Sequence, residues 1–473
     1  MAHLLLYEQF VHEHGPLTRT RPVFELRCGT QSLGDRLAQA YAGAQLYHQV
    51  RGQMAAVHAR ELAARGRGDR VNEPASALDG DVLLLDGAVL ARDAAALPAL
   101  EGPDEVGVVR DVVNYRPAGD GASEPVHRDA GRVVYLRLCR RTAAALVEQV
   151  GPDPDRLLAA ALRVPGINRR DLGAEELPVM TYPWQLIENN GHAIEADFGR
   201  MSGGGIAADA WVDPGVVWLR DGRRLPGPGA GTDGAPVRIG AGTVVGPFVS
   251  FDVSAGPVIV GRDVIIESHC HIKGPAYIGD GCTLWAFTDL KENCSLGPRC
   301  RVCGQVEEVI FQGYMHKFHV GFVGHSYLGE GVNVGDQTVT SNLKNDRTPV
   351  DVHWGPAADQ QVNTGRLYAG ALIGDGVATG TNTNLTTGAV VEPLSTIVSA
   401  AATPKYINGL LSNGRHLPWP FAGAYNAFRI LVSERLGRRL PDGHEALFRH
   451  VYAEMQATRR HIRRRDTRRV ATG

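Results

Sequence analysis

Three histidines and a lysine fall within one ten-residue stretch, as His316, Lys317, His319 and His325. A neutral imidazole has a reference pKa of about 6.5 and can take a proton near neutral pH. Acylation of an amine by a thioester needs such a base. It also needs donors for the oxyanion that develops on the carbonyl, and cations or dipoles for a phosphate on the acceptor. Spacing alone does not choose among the histidines, and a loop histidine satisfied by backbone remains the plain alternative for each. Cys300 and Cys303 form a lone CxxC, but Cys300 is already claimed by core packing.

The elements that must hold these groups are legible in residues 201–403. Large apolar residues recur every six positions, from Ile206, Val212 and Trp218, through Ile239, Val245 and Phe251, to Val260, Ile266, Ile272, Ile278, Leu284, Leu290, Leu296 and Val302. A period of six fits neither the 3.6 of a helix nor the simple alternation of a strand. It is the period of a β-helix whose flat sides each take one hexapeptide. Cys270, Cys282, Cys294 and Cys300 stand four residues after a large apolar residue, at a second inward position that must be small, so they read as packing rather than as metal ligands or disulfides. The period is lost over 305–327, which predicts an interruption of the coil at the histidines. It is lost again over 343–366, while 220–236 reads as an exposed Pro/Gly-rich loop.

Residues 1–200 predict an α/β domain. Apolar runs at 3–7, 82–85, 106–109 and 133–138 read as buried strands of a mostly parallel sheet, with Ser32 and Asp35 opening a helix between the first two. Residues 404–473 predict a helical extension, with stripes Phe421, Tyr425, Phe428, Val432 and Leu447, Val451, Met455. Its seven arginines between 459 and 469 read as a solvated helix end, with a phosphate contact as the alternative.

The net charge of −2 gives no global pull toward nucleic acid or membrane. The first residues lack a basic segment followed by an apolar core, and no apolar run approaches a bilayer span. Seven cysteines without a secretion signal read as reduced thiols of a cytoplasmic protein.

The stretch HGPLTRTRPVFELRCG (14–29) resembles the start of sugar-phosphate nucleotidyltransferases. With 182–198 and 304–345, it makes the chain similar to a divergent branch of the bifunctional UDP-N-acetylglucosamine pyrophosphorylase / glucosamine-1-phosphate N-acetyltransferase family, over roughly residues 1–403. The resemblance implies a Rossmann-like nucleotidyltransferase domain, then a left-handed parallel β-helix of hexapeptide repeats, here followed by the helical tail. It implies acetyl-CoA as cosubstrate, UTP or another nucleoside triphosphate and a sugar phosphate as substrates, Mg²⁺ where uridylyl transfer survives, and a homotrimer.

Residue by residue, the match of Lys317-Phe318-His319 and Asn333-Val334-Gly335 makes His319 the general base. It makes Asn333 a contact to the acceptor sugar, Asn342 a contact near the acetyl group and its pantetheine carrier, Lys317 part of the substrate site, and Arg299 or Arg301 the holder of the phosphate. An acceptor-site tyrosine of the family is Phe322 here, with Tyr327 a possible substitute. Leu343 and Asp336 also depart from the pattern.

In the N-terminal half the resemblance implies Thr18, Arg21, Arg27, Asn114 and Asn190 as nucleotide contacts and Asp86 with Asp197 as metal ligands. The usual Gly-x-Gly-Thr-Arg loop is missing, and Val23 replaces a lysine. Two other readings stay open: one active half with the other degenerate, and a non-catalytic nucleotide-sugar-binding scaffold. A third, zinc hydration, would cast His319 and His325 with His353 or His269, as in hexapeptide carbonic anhydrases.

Overall fold

The computed structural model describes residues 2–462 except 74–79, 93, 111, 118–122, 128–130, 151–153, 164, 202–203, 230–233 and 357–359. Most of the C-terminal arginine run therefore lies outside the described residues.

The N-terminal domain is a seven-stranded sheet in the order Asn168–Leu172, Glu105–Val109, Arg132–Leu138, Val82–Asp86, His3–Tyr7, Gln45–His48, Arg70–Val71. Every neighbouring pair is parallel except those made by Arg132–Leu138, which runs against both its neighbours. His3–Tyr7 and Val82–Asp86 are buried throughout, as continuous apolar runs between two layers of helices should be. Ser32 caps the Leu33–Ala40 helix by accepting the Asp35 N–H at 3.0 Å.

The second half is a coil of parallel β-rungs. One inward column runs in register through Ile206, Ile239, Val260, Ile278, Leu296, Phe311, Leu328, Ile373, Val391 and Ile407. Another runs through Val212, Val245, Ile266, Leu284, Val302 and Lys317. The small inward positions Cys270, Cys282, Cys294 and Cys300 are buried in the same core.

The loss of the six-residue period over 305–327 is not a loss of the coil. Gln305–Phe311 and Phe322–Leu328 are seven-residue strands that pair in parallel, and the first also pairs with both preceding rungs. Each strand runs across a corner and bends at a left-handed residue, Glu308 at φ 46° and His325 at φ 47°. The expected interruption is therefore corrected to continuous rungs with a changed residue count.

The coil also passes the expected boundary at 403. Tyr406–Ile407 and Leu410–Ser412 add further rungs, and Leu410–Ser412 then pairs with Arg415–Leu417. The helix Phe421–Arg429, a π-helical turn Ile430–Arg435 and the helix His444–Glu454 follow. Phe428 and Val432 lie directly on Gly331, where a side chain would meet them at 2.5 and 2.6 Å. No helix of the described residues is long and apolar enough to cross a membrane.

The two halves share one continuous apolar cluster. The outward column Ile310, Tyr327, Leu372, Val390 and Tyr406 packs with residues of the N-terminal domain and with Leu447, Val451 and Met455 of the tail. Around it, Arg19 pairs with Glu392 at 3.1 Å, Thr20 donates to Asp375 at 2.5 Å, and Arg438 joins Glu61 at 2.8 Å to Glu330 at 2.5 Å.

Burial raises the thiol pKa of Cys28, Cys270, Cys294 and Cys300, and holds the Cys270 thiol at about 11. In a colorimetric thiol titration of native protein, half-buried Cys139 is expected to react first. These four thiols are expected to appear only on unfolding, and Cys139→Ser is expected to remove the fast phase.

Candidate functional site

A strand that buries one side chain presents the next to solvent. Beside the inward column that ends at Lys317 stands an outward one, in the order Trp211, Val244, Ile265, Thr283, Arg301, His316, Asn333 and Ala378. It is apolar through Ile265 and polar from Thr283 to Asn333. Asn333 Oδ1 lies 3.1 Å from His316 Nδ1, which fixes the ring. His316 stacks on Phe318 at 5.0 Å between ring centroids, Trp285 meets Phe318 edge-on at 4.3 Å, and the Arg301 guanidinium lies 5.9 Å over that ring. His319 is exposed at the end of this strand, 6.4 Å from His316 between ring centroids. Burial lowers the His316 pKa, and the charges of Arg301, His319 and Arg435 lower it further against the Asn333 hydrogen bond. His316 is thus held neutral, and exposed His319 can meet a substrate.

Lys317 does not reach this surface. Its Nζ is buried in the coil and donates to the carbonyls of Cys303 at 2.5 Å, His319 at 3.1 Å and Gly321 at 3.0 Å. Burial pulls its pKa down to about 8. The substrate role expected for it is corrected to fixing the turn that carries His319. Tyr327 is likewise corrected: its hydroxyl is buried, accepts the Arg27 N–H at 2.8 Å and donates to Gln312 at 2.5 Å, at the junction of the two halves.

Asn342 belongs to a second cluster. Its Nδ2 lies 3.0 Å from His325 Nδ1, His325 stacks on Tyr368 at 5.0 Å, and Glu308 is 3.5 Å from His325 Nε2. Among the described residues no hydrogen bond, ion pair or ring contact links this cluster to His319. Nor do any three His, Cys, Asp or Glu side chains stand where they could hold a metal ion. His269, cast for zinc, is stacked between Phe248 and Phe287 at 5.0 and 5.1 Å.

In the N-terminal half the residues expected to contact nucleotide have other partners. Arg21 pairs with Asp375 at 2.5 Å and Glu330 at 3.4 Å. Arg27 lies 5.8 Å over the Tyr277 ring. Asn190 accepts from Gly29 N–H at 2.7 Å and Ser295 at 2.9 Å, and Asn114 accepts the Asn363 N–H at 3.0 Å. All of these contacts except the one from Gly29 join the N-terminal domain to the second half. Thr18, buried, donates to the Val11 carbonyl at 3.0 Å.

Asp86 accepts from Arg132 at 2.7 Å and from Gln9 at 3.1 Å with no exposed surface. Asp197 pairs with Arg36 at 2.7 Å and accepts from Thr30. The carboxylates share no partner, and each is already matched by a guanidinium. They do not fit a common Mg²⁺, so the expected metal pair is corrected to two separate ion pairs. Sequence reasoning missed Arg132 and Arg36. The signal for the first was an arginine opening the apolar run VVYLRL, since a buried charge demands a partner.

Residues 4–204 match the family model described as sugar nucleotidyl transferase, and residues 257–288 match the one described as bacterial transferase hexapeptide (six repeats). The bifunctional protein GlmU of Acidithiobacillus ferrooxidans is 31% identical over 185 residues, covering 38% of this chain and 35% of that protein. A bifunctional sugar-1-phosphate nucleotidylyltransferase/acetyltransferase of Sulfurisphaera tokodaii is 32% identical over 150 residues, covering 29% and 36%. The matched stretch thus spans little more than a third of either relative. The two family models place a stretch similar to sugar nucleotidyl transferases before one similar to hexapeptide transferases, in the order of the two halves described above.

If Asp86 is half of a structural ion pair, Arg132→Ala strands a buried carboxylate and is expected to cost about 3–5 kcal/mol. The double variant Asp86→Leu, Arg132→Leu is expected to cost much less. Urea unfolding followed in the N-terminal domain checks both, and added Mg²⁺ is expected to leave the wild-type transition unmoved.

Proposed function

We propose, from the premise of a GlmU-like transferase, that the coil of this protein transfers an acetyl group from acetyl-CoA to the amine of a hexosamine-1-phosphate. The observation that carries this is the outward column at Arg301, His316 and Asn333, with exposed His319 beside it. His319 takes the proton as the amine attacks the thioester carbonyl. The tetrahedral oxyanion collapses, the C–S bond breaks, and the proton on the imidazolium passes to the departing CoA thiolate. Asn333 holds a hydroxyl of the sugar, and Asn342, oriented by His325, lies toward the pantetheine carrier.

A homotrimer is part of the proposal. Trp211, Val244, Ile265, Phe248 and Phe287 are between 41% and 71% exposed along the coil, and Phe248, His269 and Phe287 form one continuous stack. Large apolar side chains in a row are what a second copy would cover. Such a neighbour would also bring an Asn342 cluster to a His319 cluster. The buried free thiols fit a reducing cytoplasm.

For the N-terminal domain, the reading best supported is a nucleotidyltransferase fold that serves as a docking body. Its Arg19–Arg21 segment is engaged with Glu392, Asp375 and Glu330 of the coil, and its two carboxylates do not fit one metal. Uridylyl transfer at Asp86 and Asp197 is therefore not part of the proposal.

Thiol release from acetyl-CoA and glucosamine-1-phosphate is expected in wild type and should fall roughly 100-fold or more in His319→Ala. Equal release by both proteins would sink the assignment of the base. Pyrophosphate release from UTP and a hexosamine-1-phosphate, dependent on Mg²⁺ and lost in Asp86→Asn, would overturn the docking-body reading.

A further inference from the structure

Where the N-terminal domain, the coil and the tail meet, they leave between them a cavity of about 530 Å³. Arg27 and Arg60 of the first, Gln312 and Tyr314 of the second, and Arg438 and Arg439 of the third stand on its wall. Arg299, Arg301 and His316 do not, and neither do Asp86 and Arg132. The cavity is thus separate both from the open face of the coil and from the ion pair at the end of strand Val82–Asp86. Its size suits a small metabolite rather than a lone ion.

The carboxylates on the wall are already engaged. Glu25 pairs with Arg65 at 2.8 Å, Asp35 with Arg67, and Glu61 and Glu330 with Arg438 at 2.8 and 2.5 Å. Asp442 is exposed and meets Arg60 through its backbone carbonyl, 2.5 Å from Nη1. Among the described residues, Arg27, Arg60 and Arg439 have no carboxylate partner. Two donors are also idle: Arg27 Nε and Arg438 Nη1 are buried without a hydrogen-bond partner, although Arg27 Nη1 donates to the Thr30 carbonyl at 2.6 Å. A buried N–H without an acceptor is costly and uncommon. Guanidiniums gathered without counter-charges also disfavour one another. An oxyanion answers both costs. Guanidinium forks match phosphoryl oxygens, and a pyrophosphoryl group presents two linked sets of them to several forks at once.

We infer that this junction cavity is an effector site for a small molecule bearing a pyrophosphoryl group, inorganic or carried by a nucleotide. Arg27, Arg60 and Arg439 hold the charge, and the idle N–H groups of Arg27 and Arg438 accept its oxygens as partners. The wall comes from all three bodies, so the site exists only while they are docked, and its ligand stabilises the docked state. Arg438 lies three residues past Arg435, whose carbonyl accepts from Arg301 Nη2 at 3.5 Å. Occupancy is thereby coupled through the tail to the face that carries His316. The inference rests on the docked geometry and not on the acyl-transfer reading.

Titration calorimetry of the full chain with inorganic pyrophosphate, and with uridine diphosphate as the nucleotide arm, tests it. Wild type is expected to bind and to melt at a higher temperature with ligand present. Arg439→Gln and Arg60→Gln are each expected to weaken binding roughly tenfold or more. Arg415→Gln, which removes an exposed arginine that is not on the cavity wall, is the control and is expected to bind as wild type does. Arg439 is exposed, so melting of Arg439→Gln without ligand is expected to match wild type, which separates lost binding from lost fold. Within the binding lost in Arg439→Gln, a preference for uridine diphosphate assigns a nucleotide and a preference for pyrophosphate assigns the inorganic ion; both support the site. No binding of either by wild type, or affinities for both that neither variant lowers, overturn the inference.

Discussion

The structure depends on a filled coil. Each rung directs alternate side chains inward, and the interior is packed with Val, Ile, Leu, Phe and buried Cys in registered columns. A closed apolar interior leaves no room for substrate, so whatever the coil does must be done by its outward columns. Two of these have opposite fates. One, through Ile310, Tyr327, Leu372, Val390 and Tyr406, is covered by the N-terminal domain and the tail. The other, through Trp211, Val244 and Ile265 to Arg301, His316 and Asn333, is left open.

The open column becomes chemical where the rungs change length. Val302 and Lys317 are consecutive in the inward column, fifteen residues apart, against eighteen between Leu284 and Val302. Omitting three residues removes part of a corner. Lys317 enters the coil there with an ammonium that three carbonyls surround. An apolar residue at that place would pack the column better but would leave the His319 and Gly321 carbonyls without this donor. A buried charge so fully bonded costs desolvation and returns a fixed geometry. The geometry fixed is that of the residues carrying His319.

The inward columns were legible in sequence because one physical rule, apolar side chains at a constant interval, acts on neighbours in the chain. The same rule misled at 305–327. Long strands across a corner keep the coil but not its count, and the left-handed bends at Glu308 and His325 carry no glycine to mark them. The docking of the halves was not legible at all. Arg21 and Asp375 stand 354 residues apart, and nothing local to either names the other. Arg21, Arg27, Asn114 and Asn190, chosen by resemblance to nucleotide contacts, are among the residues that join the domain to the coil.

The tail raises a separate question, whether its π-turn is held firmly enough to place one side chain. Phe428 and Val432 are buried on either side of the turn's start and rest on Gly331, and Phe428 rests on Gly376 as well, where any side chain would collide with it. Just beyond the turn, Arg438 is tied to Glu330 of the coil and to Glu61 of the N-terminal domain. Both ends are therefore fixed, one by shape and one by charge, and the second fixing requires the two halves to be docked. Loss of the Arg438 clamp would free the far end while the apolar end stayed seated. Arg435 lies between the two, so its position depends on the N-terminal domain although its carbonyl is bonded to Arg301 of the coil. A domain whose Asp86 and Asp197 stand in separate ion pairs can in this way still bear on the face where the histidines stand.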